Sequence, residues 1–141
     1  MIEIRTSSEE ETYLFAKQFA ESLKDGDVIC LNGDLGAGKT VFVRGVSSYF
    51  GIEDISSPTF TIVNEYKGTK DINHFDVYRL SNEDEFYDCG LDEYFGEGIC
   101  IIEWSDIIKD VLPKEYIDVR IQKIDEDERN IMIEKIGERM D

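Results

Sequence analysis

The stretch Asp27–Thr40, DVICLNGDLGAGKT, constrains this chain more than any other. Val28, Ile29, Cys30 and Leu31 form a continuous apolar run, the signature of a strand buried on both faces of a parallel sheet. A glycine-rich turn follows, and a helix is expected from Lys39 to Phe50, closed by Gly51. Strand, glycine loop and helix in that order commit the chain to an α/β architecture.

The remaining segments fit around that unit. Ile2 to Thr6 alternates as a short strand. Ser7 and Ser8 offer N-caps, Ser8 with Glu11 spells a capping box, and Glu9, Glu10 and Glu11 suit a helix N-terminus. Phe15, Ala16, Phe19, Ala20 and Leu23 recur at helical spacing, predicting an amphipathic helix over Thr12–Lys24 that Asp25-Gly26 ends. SPTFTIVNEYKG and KDINHFDVYRL read as two strands turning near Gly68, Glu83–Phe95 as short helical pieces, and Gly98–Trp104 as a second apolar strand. Ile117, Val119 and Ile121 alternate, DEDE turns, and Ile131–Ile136 returns as a hairpin. The expected fold is a three-layer P-loop NTPase-like sandwich with a mixed parallel/antiparallel sheet and a C-terminal β-hairpin. All of 1–141 is expected to form a single domain.

Gly33, Asp34, Leu35, Gly36, Ala37, Gly38, Lys39 and Thr40 match G-x-x-x-x-G-K-[ST] in full, between a buried strand and a helix. Glycines let backbone N–H groups turn inward around phosphates, and the helix N-terminus adds its positive end. Lys39 is expected to reach the β- and γ-phosphates of a nucleoside triphosphate, and the Thr40 hydroxyl to ligate Mg²⁺.

Phosphoryl transfer also needs a carboxylate near the metal and a group that orients the attacking oxygen. Glu103 ends the run Ile99–Ile102, and Asp76 lies in HFDVYRL, where His74 and Asp76 face one side of a strand. Each stands where a parallel strand presents active residues, at its C-terminal end. The alternative is a solvated strand end for Glu103 and a turn carboxylate for Asp76. His74, the only histidine, reads equally as a structural hydrogen-bonder or a site residue, and Trp104 as a packing residue. Ser57–Thr61 reads either as a segment sensing the γ-phosphate, through Thr59 or Thr61, or as a polar loop entering a strand.

Composition narrows the partners. The net charge of −17 comes with no basic block, which argues against autonomous binding to RNA or DNA. The acidity serves solubility or docking on a basic protein surface. No secretory signal is apparent, and no apolar run approaches the ~20 residues of a membrane helix. Cys30, Cys89 and Cys100, an odd set without a CxxC pair, read as reduced thiols of a cytoplasmic protein.

GDLGAGKT, SPTFTIVNEY, HFDVYRL, GLDEYF and IIEW resemble, in order and spacing, the TsaE (YjeE) family, bacterial ATPases of tRNA threonylcarbamoyladenosine biosynthesis. The likeness runs from about residue 5 to the final hairpin. It implies a slow, Mg²⁺-dependent ATPase that works with TsaD and TsaB. Those partners transfer a threonylcarbamoyl group to the N6 of a tRNA adenosine, and the ATPase resets the complex without touching the RNA itself. It also implies that Thr40 and Glu103 hold Mg²⁺, that Asp76 assists hydrolysis, and that Glu10, within Glu9–Thr12, and Arg129 lie near the nucleotide. Val41, also expected at the nucleotide, departs from relatives that carry a second Thr after Lys-Thr; the metal-ligand position, Thr40, is intact.

Three competing readings stand against this one. A small-molecule kinase usually carries an arginine-rich lid, whereas Arg5, Arg44, Arg79, Arg120, Arg129 and Arg139 are scattered. A GTPase switch needs N-K-x-D and D-x-x-G, and neither occurs. An adaptor would bind nucleotide without turning it over.

Overall fold

The computed structural model describes residues 2–33, 37–53, 55, 63–76, 91–103 and 112–137. The expectations for Asp34, Leu35, Gly36, Ser57–Thr61, Cys89 and Trp104 lie outside the described residues.

Strands β1 (Ile2–Thr6), β2 (Val28–Gly33), β3 (Val63–Tyr66), β4 (Ile72–Asp76), β5 (Ile99–Glu103), β6 (Tyr116–Lys123) and β7 (Arg129–Ile136) form one sheet, ordered β1-β7-β6-β2-β5-β4-β3. The four central strands β6, β2, β5 and β4 run parallel. The additions are antiparallel: β1 on β7, β7 on β6, and β3 on β4. The sheet is mixed, as expected, and its parallel centre carries the apolar runs.

Burial explains that centre. Ile29 and Leu31 of β2 and Ile99 and Ile101 of β5 enter the larger core with α1 (Glu9–Ala20) and α2 (Lys39–Tyr49). Val28, Cys100 and Ile102 point the other way and pack with Phe75, Tyr94, Phe95, Leu112 and Tyr116. Period-two alternation with both faces buried produces the unbroken apolar sequence. The second face is covered in part by a 3₁₀ helix, Leu91–Tyr94, whose Tyr94 ring meets Phe75 edge-on at 5.4 Å. Of the helical pieces expected over Glu83–Phe95, this is the part within the described residues.

Helix α1 starts as its cap signals dictate. Ser8 Oγ accepts from Glu11 N at 3.1 Å. The Glu11 carboxylate accepts from Ser7 N, one residue before the cap, at 2.7 Å. The helix ends at Ala20, four residues earlier than the apolar spacing indicates. Glu21, Ser22 and Leu23 continue with tighter three-residue backbone bonds. Leu23 still reaches the core, which is why its position mimics one more helical turn.

Candidate functional site

Strands β2 and β5 are parallel neighbours with Leu31 opposite Glu103, and β5 and β4 are parallel with Glu103 opposite Asp76. The chain therefore gathers the ends of β2, β5 and β4 at one edge of the sheet, where the glycine loop leaves β2 and α2 begins. A parallel sheet sets up such an edge because every crossover returns the chain to the same side.

Gly33 and Gly38 are required by their surroundings and backbone. A Cβ on Gly33 would stand 2.7 Å from the Ile121 carbonyl oxygen, and Gly38 has a φ of 101°. Gly38 is also the N-cap of α2 and supplies no side-chain cap. Glu9, Glu10 and Glu11 fill the first turn of α1, whereas the first turn of α2 holds no acidic residue. The contrast suits an anionic ligand at the second helix.

Lys39 and Glu103 meet at this edge. Lys39 Nζ lies 3.6 Å from Glu103 Oε1, and each side chain is about nine-tenths buried. Glu103 Oε2 accepts from His74 Nε2 at 2.6 Å, with His74 1% exposed. A carboxylate can only accept, so the proton of this bond sits on Nε2. Thr40 is half-buried on the first turn of α2. The backbone of Asp76 stands level with Glu103 on the adjacent strand.

Arg129 opens β7 and ties the far hairpin to the loop. Its Nε donates to the Ala37 carbonyl at 3.0 Å. Its Nη1 donates to the carbonyls of Asp125, Glu126 and Glu128 at 2.8, 3.3 and 3.0 Å. The turn between β6 and β7 is held by Asp125, whose Oδ1 accepts from Glu128 N and Asp127 N. Those bonds keep the Asp125 carboxyl below the usual carboxylate range.

Beside Gly38 opens a cleft of about 190 Å³, lined by Ser8, Glu9, Thr12, Gly38, Val41, Glu126, Asp127 and Arg129. Thr12 is fixed there by a 2.7 Å hydroxyl–hydroxyl bond to Thr6. Of the residues expected near a nucleotide, Gly38, Val41 and Arg129 line this cleft; Glu10 is exposed on α1, and the neighbouring Glu9 and Thr12 form part of the wall.

Sequence reasoning did not pair His74 with Glu103 or assign Glu126 and Asp127 to the cleft. The alternation in HFD places His74 on the face of Asp76 but carries no information on which strand lies next to it. Among the described residues, no cluster of three or more His, Cys, Asp or Glu side chains could hold a metal by itself. No helix among them is long and apolar enough to cross a membrane.

Comparison with known proteins places this arrangement. Residues 6–131 match the family described as "Threonylcarbamoyl adenosine biosynthesis protein TsaE". The chain is 48% identical over 138 residues to the tRNA threonylcarbamoyladenosine biosynthesis protein TsaE of Bacillus subtilis, covering 96% of this chain and 86% of that protein. It is 46% identical over 126 residues to the TsaE of Rickettsia bellii, covering 87% and 88%. A crystal structure of Bacillus subtilis YdiB superposes with a TM-score of 0.81 at 41% identity, covering 97% of this chain and 86% of that one. With likeness of this extent in both sequence and fold, the chain belongs to the TsaE family.

Proposed function

We propose that this protein is the ATP-binding and ATP-hydrolysing component of a tRNA threonylcarbamoyladenosine biosynthesis machinery. The observation that carries the reading is the 3.6 Å approach of Lys39 and Glu103 at the C-terminal edge of two parallel strands, beside the acid-free N-terminus of α2. The tRNA branch of the reading comes from the names of the family and of its relatives.

The residues present fit a triphosphate with Mg²⁺. Mg²⁺ binds through one or two protein oxygens together with phosphates and water rather than through an all-protein cage. A hydroxyl at Thr40 and one carboxylate at Glu103, without a larger acidic cluster among the described residues, is that kind of donor set. When bound, the ion neutralises charge on the phosphate oxygens. Lys39 leaves Glu103 for the β- and γ-phosphates, which frees Glu103 Oε1. The loop's backbone N–H groups and the start of α2 hold the anion, and Arg129 keeps the loop's shape through the Ala37 carbonyl. Asp76, level with Glu103, is assigned to orienting the attacking water. Burial around Lys39 and Glu103 strengthens each of these contacts relative to open water.

The protein acts as one domain with TsaD and TsaB in the cytoplasm. A charge of −17 suits docking on a basic protein surface, with tRNA held by those partners. The test is phosphate release from ATP by the protein alone and with TsaD–TsaB. Strong stimulation by the pair is expected. Tight ATP binding with no release in either condition would favour the adaptor, and a phosphorylated metabolite in place of free phosphate would favour a kinase.

A further inference from the structure

The His74 ring is buried on β4, 1% exposed, beside β5, whose apolar residues are buried. Among the described residues its one hydrogen bond is the 2.6 Å contact to Glu103 Oε2, and Nδ1 is buried without a partner. An unpartnered buried nitrogen costs about 1–3 kcal/mol, so packing alone would be served better by an apolar side chain. What the imidazole adds is a fixed donor to one oxygen of Glu103.

That donor has a consequence for the carboxylate. With Oε2 held by His74, the plane of the carboxylate is set and Oε1 is the oxygen turned to Lys39. Once Lys39 moves to a phosphate, His74 is the remaining described contact that prevents Glu103 from rotating. We propose that His74 is a positioning residue of the nucleotide site: it clamps Glu103 Oε2 so that Oε1 faces the divalent cation that accompanies the nucleotide. This rests on the reading of Glu103 as a metal ligand. Outer-shell donors of this type change metal affinity by about 10–100-fold when removed.

The test measures equilibrium binding of a fluorescent, non-hydrolysable ATP analogue with Mn²⁺ and, separately, with EDTA. The ratio of the two Kd values reports how much the cation tightens binding, independent of turnover. His74→Leu should lose roughly tenfold or more of that ratio while its EDTA Kd stays near wild type. His74→Gln, whose amide nitrogen reaches the Nε2 position, should recover most of the ratio. His74→Asn, whose nitrogen sits at the Nδ1 position, should not. If His74→Leu does not fold, the Gln and Asn variants carry the test. Equal, wild-type ratios in the Asn and Leu variants would overturn the proposal. Glu103→Gln separates the two levels: a lost ratio there with intact ratios at His74 rejects only the clamp. An intact ratio in Glu103→Gln rejects the metal-ligand reading and the clamp with it.

Discussion

Lys39 Nζ and Glu103 Oε1 stand 3.6 Å apart, each side chain about nine-tenths buried, joining the first residue of α2 to the last residue of β5. Opposite charges buried side by side offset part of each other's desolvation cost. In the proposed mechanism the pair holds the site ready, and a triphosphate with its cation replaces both halves of it.

Glu103→Gln keeps the side chain's shape and its reach to His74 but removes the charge that a cation requires. Hydrolysis of ATP should fall by about 100-fold or more, as for loss of other preorganised charge contacts. Nucleotide binding without divalent metal should change little. Steady-state phosphate release and binding in EDTA, measured on the same preparation, check this; equal survival of both would return Glu103 to an ordinary strand end.

Arg129→Ala should separate the β6–β7 turn from the glycine loop. The guanidinium donates to the carbonyls of Ala37, Asp125, Glu126 and Glu128, and charge-assisted bonds contribute about 1.5–3 kcal/mol. Stability should drop by about 2 kcal/mol, or ~5–10 °C in Tm, with weaker nucleotide binding. Arg129→Lys should not restore either, because an ammonium cannot span this set of carbonyls as the planar fork does. Thermal melts and binding isotherms of both variants decide it.

Burial pushes the Cys100 thiol up from 9.0 to about 12, so the thiolate is suppressed in the folded protein. The folded state then holds a proton that the unfolded state releases. The stabilisation is complete below pH 9 and is lost as pH rises toward 12. The fall is up to ~1.4 kcal/mol per pH unit. Urea midpoints measured from pH 8 to 11 should decline less steeply in Cys100→Ala than in wild type. Cys100 should also resist alkylation at pH 8 until the protein is unfolded.

The sequence was most informative where one residue pattern has one physical solution. Val28–Leu31 and Ile99–Ile102 are apolar on both faces because both faces are covered, and the Ser8–Glu11 cap marks the start of α1 within one residue. It was least informative where a contact depends on which strands become neighbours. His74 and Glu103 are 29 positions apart, and their meeting follows from the β4–β5 register, which neither segment encodes alone. The early end of α1 has a similar origin: Leu23 is claimed by the core whether or not its backbone is α-helical. Glu10 and Glu9 are indistinguishable as sequence, and only the helix's rotation turns Glu9 to the cleft.

The most direct test of the nucleotide site is the affinity of the wild type and of Lys39→Ala for ATP with Mg²⁺, by titration calorimetry. The account predicts saturable one-to-one binding by the wild type. It predicts a loss of roughly 10–100-fold in the variant, the equivalent of one charge-assisted contact, with the variant still folded by circular dichroism. Equal affinity in the two proteins, or no binding by the wild type, would contradict it.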